Sequence, residues 1–290
     1  MKSDRVLSVV IPMSAALLAT AAAIAGVFFR GDGNYVSVTS VRGETYDMAV
    51  NGVYANNALR VVAEGVGWDI FTLAIAVPAL LFTLPGVYRN AMRARLFAIG
   101  ILGYLSYQYL MYALTWAFGP LFLLFIAVQT VSLVALVYLL ARIDLPSLAA
   151  GIGKHFPARG MALLSGLMAL LLTGMWVTRI LEVLKHDSGP ELFGMTTMTV
   201  QALDLGIVVP LALFTAVLAW RRRPSGYLLC SVVVVKSFAM AAAICAMLLS
   251  AWAVEGAVEL PPLIIFAAAA VASAWLGARM YANIGMDIVE

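Results

Sequence analysis

The chain has 290 residues, 63% of them hydrophobic and 11% charged, with a net charge of +3. Soluble domains run at roughly 45–50% apolar and about 25% charged, so this balance excludes a soluble globular protein and requires lipid to cover the surplus apolar surface. The basic residues are scattered over turns instead of gathered on one face, which excludes nucleic acid as the reason for the positive balance.

Eight apolar runs approach the ~20 residues that a helix needs to cross ~30 Å of hydrocarbon. They lie at about 6–29, 67–88, 96–117, 120–141, 161–184, 202–220, 226–252 and 262–283. None alternates as a barrel strand would, and backbone groups cannot go unpaired in lipid, so the fold class is all-α: a polytopic bundle of eight transmembrane helices. With both termini inside, Lys2, Arg5, Arg89, Arg93, Arg95, Arg142, Lys154, Arg159, Arg221, Arg222, Arg223 and Arg279 fall on the cytoplasmic side. Arg30, Arg42, Arg60, Arg179 and Lys185 fall on the other, in agreement with the positive-inside rule.

The first run follows Lys2 and Arg5, but its apolar length of about 24 residues exceeds the 7–15 of a secretory signal core, so it reads as a retained helix. The loop 30–66 comes next. It holds an alternating stretch, Asn34–Val41, suited to a hairpin strand, and then Asn56–Glu64, which reads as a capped amphipathic lead-in to the second span. Two readings stand for this loop: a small folded lid that is also a protein-partner site, or a solvated connector.

The second span carries Asp69 and then Val77-Pro78-Ala-Leu-Leu81-Phe82-Thr83. In the third, Tyr104, Tyr107, Gln108, Tyr109, Tyr112, Thr115 and Trp116 follow one another, with Tyr104, Gln108 and Tyr112 on one i, i+4 face. That face reads as an aromatic-polar cavity wall or as an interfacial belt. The fifth span spaces Thr173, Trp176, Arg179 and Glu182 three apart, hence on one side. Arg179 either clamps an anionic group, for which a guanidinium is suited, or is satisfied by Glu182. A second outer loop, 185–201, leads to the sixth span.

There Val209-Pro210-Leu-Ala-Leu213-Phe214-Thr215 repeats the second-span motif at an offset of 132, and each copy reaches a basic turn seven residues after its Phe, at Arg89 and Arg221. The order of spans and loops also repeats. This predicts a 4+4 duplication over 1–142 and 160–290, with parallel halves and a ligand site between them; the alternative is chance likeness between two apolar helices. At the same offset Lys236 matches Tyr104, while Asp204 and Asp69 precede their prolines by six and nine residues.

Lys236 stands in the seventh span with no other charge nearby in the run, and a charge in that position is costly enough to mark a functional path. From the rise per residue, Lys236 lies ~18 Å above Pro224 and Asp204 ~25 Å above Arg221, a separation that a lysine stem can bridge. The lean of helical side chains toward the N-terminus opposes the pairing. A proton-exchanging pair, a structural ion pair and a lysine lining a wet crevice are the readings. Cys230 and Cys245 share this span, ~22 Å apart, too far to bridge.

His155 and His186 are the two histidines, both in predicted loops, so no haem, metal or Ser–His chemistry is expected, and no cofactor. A P-loop motif is absent. With Gly103-Tyr104-Leu-Ser-Tyr107-x-Tyr109, Gln201-Ala-Leu-Asp204-Leu-Gly-x-Val-Val-Pro210 and Ser231-x-x-x-x-Lys236, the chain resembles a group of uncharacterised bacterial multi-span membrane proteins of about eight helices, from about residue 50 onward. The resemblance implies the same topology in a bacterial inner membrane and singles out Asp204 and Lys236. It implies no substrate.

The leading expectation is a transporter-like or ligand-binding protein with an outward-facing polar cavity between its halves, taking a small-molecule or lipid ligand. Asp69, Asp204 and Lys236 form its charged floor, Arg179 with Trp176 and Glu182 its anion clamp, and Tyr104, Tyr107, Gln108 and Tyr112 its wall. The rivals are a metal-independent enzyme acting on a lipid, isoprenoid or quinone through Lys236, and a non-catalytic assembly or sensor subunit binding through loop 30–66.

Overall fold

The computed structural model describes residues 2–186, 192–257 and 259–285. Residues 187–191 of the expected second outer loop and 286–290 of the second expected repeat lie outside them. Eight helices are long and apolar enough to cross a membrane: Ser3–Phe28, Leu59–Tyr88, Met92–Thr115, Phe122–Leu140, Ala158–Lys185, Thr199–Trp220, Pro224–Glu255 and Leu260–Ala282. The chain is an all-α, multi-pass membrane protein whose apolar helices contact the bilayer. Several helices outrun their apolar cores. The second begins at Leu59 because Arg60 and Glu64 pair at i, i+4 (3.0 Å) and carry the helix through its polar first turns.

A two-stranded antiparallel hairpin, β1 (Tyr35–Thr39) and β2 (Thr45–Ala49), sits between the first two spans, with Tyr35 opposite Ala49 and Thr39 opposite Thr45. The hairpin marks one end of the bundle, the hairpin end; the opposite is the terminal end. The expected side-chain cap at Asn56–Asn57 does not form. Asn57 instead bonds Tyr54 O and accepts from Ala117 N, tying the loop to the far end of the third span. At the terminal end, Asp144 caps the short helix Leu145–Ala150, and hydrogen bonds from Ser147 hold its carboxyl below the ordinary carboxylate range.

The second and sixth spans each contain a single π turn directly ahead of their Val-Pro pair. Thr72–Ala76 closes on a bond from Val77 N to Thr72 O, and Asp204–Val208 on one from Val209 N to Asp204 O. Proline clashes with the carbonyl four residues back, and widening the preceding turn relieves the clash while keeping the backbone paired.

The main core is built from the first, second, third, fourth and seventh spans. The third and seventh lie deepest, with Leu96, Ile99, Leu102, Leu105 and Cys230 fully enclosed. They approach closely because glycine leaves room: a β-carbon at Gly100 would stand 2.6 Å from Val235 Cβ, and one at Gly103 would stand 3.8 Å from Val232 Cγ1. Ala169, Val209 and Ala212 of the fifth and sixth spans form a separate, smaller cluster. The eighth span turns Ile264, Ile265, Val271 and Trp275 outward, as a lipid-facing helix should.

Candidate functional site

Asp204 opens the π turn of the sixth span and is 4% exposed. Its carboxylate accepts from two rings. The Tyr107 hydroxyl of the third span donates to Oδ1, and Trp176 Nε1 of the fifth span donates to Oδ2 at 2.8 Å. A buried carboxylate needs such donors, since an unmet charged acceptor in a low-dielectric interior costs several kcal/mol or more, on the order of the desolvation penalty.

Lys236 approaches the same tyrosine from the seventh span. Its Nζ lies 3.9 Å from the Tyr107 ring centroid, and the side chain is 6% exposed. A cation over a tyrosine face gains up to ~2 kcal/mol when desolvated, less than burial of an ammonium costs. Among the described residues Nζ meets no hydrogen-bond acceptor. Tyr107 thus contacts both the lysine and the aspartate, which form no ion pair among the described residues. Lys236, Tyr107, Asp204 and Trp176, from four spans, make one cluster.

Asp69, expected on the same floor, belongs to a different set. It is 1% exposed and accepts from Tyr54 Oη at 2.5 Å and Tyr112 Oη at 3.5 Å, sharing neither donor with Asp204. Tyr54 stacks on Trp116 with centroids 4.1 Å apart, and a β-carbon at Gly26 of the first span would fall 1.9 Å from Asp69 Oδ2. Loop residue Tyr54 carried no signal in the sequence that could tie it to Asp69. Tyr104 is fully buried beside Trp68 and Phe71, with its hydroxyl 3.5 Å from Thr72 Oγ1. Gln108 is 1% exposed, and neither amide atom finds a partner among the described residues.

On the fifth span, Trp176 is the member of its face that reaches Asp204. Arg179 is half-buried one turn nearer the hairpin end, and Glu182 is exposed. Above them the two loops of the hairpin end meet: the Glu44 carboxylate at the hairpin turn accepts from Phe193 N (3.0 Å) and Gly194 N (3.2 Å). Phe193 lies under the Arg60 guanidinium, which also pairs with Glu64, Glu255 and Glu259.

A cavity of about 640 Å3 opens between the second and third spans on one side and the seventh and eighth on the other. Its lining, including Phe82, Phe97, Val234 and Phe238, is mainly apolar, and it lies toward the terminal end, marked by Arg93 and Tyr281. It is thus distinct in place and chemistry from the polar cavity expected at the outer side. Among the described residues, no group of three or more His, Cys, Asp or Glu that could hold a metal ion occurs. Comparison with known protein families, curated proteins and solved structures finds no match to this chain.

Proposed function

We propose that this is a ligand-binding or transporter-like protein of the bacterial inner membrane, with both termini cytoplasmic. Its site is the Lys236–Tyr107–Asp204–Trp176 cluster. The observation that carries this reading is the buried Lys236 ammonium, with donors and no acceptor among the described residues. A ligand bearing a carboxylate or carbonyl oxygen supplies what that nitrogen lacks, and its arrival shifts the balance of charge between Lys236 and Asp204 across Tyr107. On this reading the fold described is the closed form, with the β1–β2 hairpin as a lid latched to the second outer loop through Glu44. Orientation is supported by the basic residues of the terminal end.

The site would lie between two parallel repeats. Supporting this, the π turns start at Thr72 and Asp204, 132 residues apart. The same offset carries Gly100 to Val232 and Gly103 to Val235, so the Gly100–Val235 and Gly103–Val232 contacts exchange with one another, as across a two-fold axis. It also carries the Thr72–Tyr104 hydroxyl pair onto Asp204 and Lys236. One half would then keep a neutral version of the pair that the other half makes ionisable.

Native mass spectrometry of protein extracted in nanodiscs tests the reading. The wild type should retain a non-lipid or isoprenoid mass that Lys236→Met releases; a wild type carrying no such mass, or an equal amount on the variant, overturns it. An enzymatic role for Lys236 on an apolar carbonyl substrate is favoured by the apolar cavity lined by the neighbouring Val234, Val235 and Phe238. Borohydride trapping of an adduct on Lys236 from a lipid extract would select it.

A further inference from the structure

The cavity at the terminal end has its own chemistry, and Lys236 is not among the residues that line it. Small residues line it: Gly86 and Ala94, which pack so closely that a β-carbon at Gly86 would stand 2.5 Å from Ala94 Cβ, and Ala274, Gly277 and Ala278 on the eighth span. At the matched position in the other half, Leu218 stands in place of Gly86 and its backbone closes on Gly226, where an added β-carbon would meet Leu218 C at 2.5 Å. The groove opens to hydrocarbon, since Ala274, Ala278 and Phe82 are exposed. From Ser273 to Tyr281 it runs ~12 Å along the helix, close to the hydrocarbon depth of one leaflet.

Charge is confined to one end. Arg93 donates through Nε to Ile284 O (2.5 Å) and through Nη2 to Ala282 O (3.3 Å), which pins the guanidinium beside the mouth while Nη1 donates to no acceptor among the described residues. The surrounding end of the bundle carries Arg89, Arg95, Arg142 and Arg221–Arg223 against Asp4 and Asp144 among the described residues. Dry apolar space beside lipid forfeits dispersion contacts unless a chain fills it, and basic pockets between helices attract anionic head groups. We infer that this groove is a binding site for one anionic phospholipid, with an acyl chain between the eighth span and Phe82 and its phosphate at Arg93.

The test uses the full chain in micelles containing equal amounts of palmitoyl-oleoyl phosphatidylglycerol and phosphatidylcholine, read by native mass spectrometry. The wild type should retain one phosphatidylglycerol with about a fivefold preference, the effect of one arginine near an anionic head group. Ala278→Phe and, separately, Ala274→Phe fill the groove from its lipid-facing wall and should lose the retained lipid. Arg93→Gln should keep a lipid but lose the preference. Unfolding temperatures in detergent identify any variant that fails to fold. Equal retention of the two lipids by the wild type, no retention, or wild-type retention by a folded groove-filling variant would each overturn the assignment.

Discussion

The Lys236 ammonium rests 3.9 Å from the centre of the Tyr107 ring and has no hydrogen-bond acceptor among the described residues. Its burial is then a net cost to the fold, because the face of the ring and the attraction of the Asp204 carboxylate return less than the lost hydration. Lys236→Met fills the same volume without the charge. It should raise stability by about 1–3 kcal/mol, the cost of a buried donor left unmet. Thermal unfolding followed by tryptophan fluorescence measures this; a lower midpoint in the variant would show that the lysine is satisfied in some other way.

Tyr107 and Trp176 both serve the Asp204 carboxylate. Removing one donor leaves a buried charge with half its support, so Tyr107→Phe and Trp176→Phe should each cost about 1.5–3 kcal/mol, the range for hydrogen bonds to charged groups. In an Asp204→Leu background the Tyr107→Phe cost should fall below ~0.5 kcal/mol, since the interaction energy belongs to the pair. An undiminished cost in that background would mean that the phenol stabilises the fold through another contact.

The sequence exposes some of this and hides the rest for physical reasons. Helix number follows from apolar length, because lipid imposes one requirement on every span. Helix ends do not, since pairs such as Arg60 and Glu64 prolong a helix past its apolar run. Lys236 and Asp204 stand out because charge in an apolar run is rare. Their link through Tyr107 depends on how three helices meet, which no spacing within one helix encodes. Asp69 shows the same limit. Its position resembles that of Asp204, yet its donors Tyr54 and Tyr112 come from a loop and a different turn of the third span.

Glycine positions give a graded stability prediction. At Gly67 an added β-carbon would meet the Ala246 backbone, 2.4 Å from its carbonyl oxygen, so one helix must move. At Gly100 it would meet the Val235 side chain at 2.6 Å, and at Gly26 the side chains of Asp69 and Tyr54. Overpacking costs about 1–3 kcal/mol where neighbours can shift, and more where backbone must. Gly67→Ala should therefore be the most damaging of the three by unfolding temperature in detergent. Equal midpoints for Gly67→Ala and Gly100→Ala would contradict the close seventh-span contact.

Asp32 gives the hairpin base its pH dependence. Its carboxylate accepts from Asn34 N (3.0 Å) and from Asn51 Nδ2 (2.7 Å), joining the two ends of the loop that carries β1 and β2. These bonds, the Asn34 amide first, hold its carboxyl below the ordinary value. A depressed folded-state value means the stabilisation is fully present above the unfolded value of about 3.9 and is lost as pH falls through the folded one. The Asn34 amide proton resonance should titrate with a midpoint below ~3.9 in the wild type. It should stay flat over the same range in Asp32→Asn. A midpoint at or above the ordinary value would show that the carboxylate is not held by these donors.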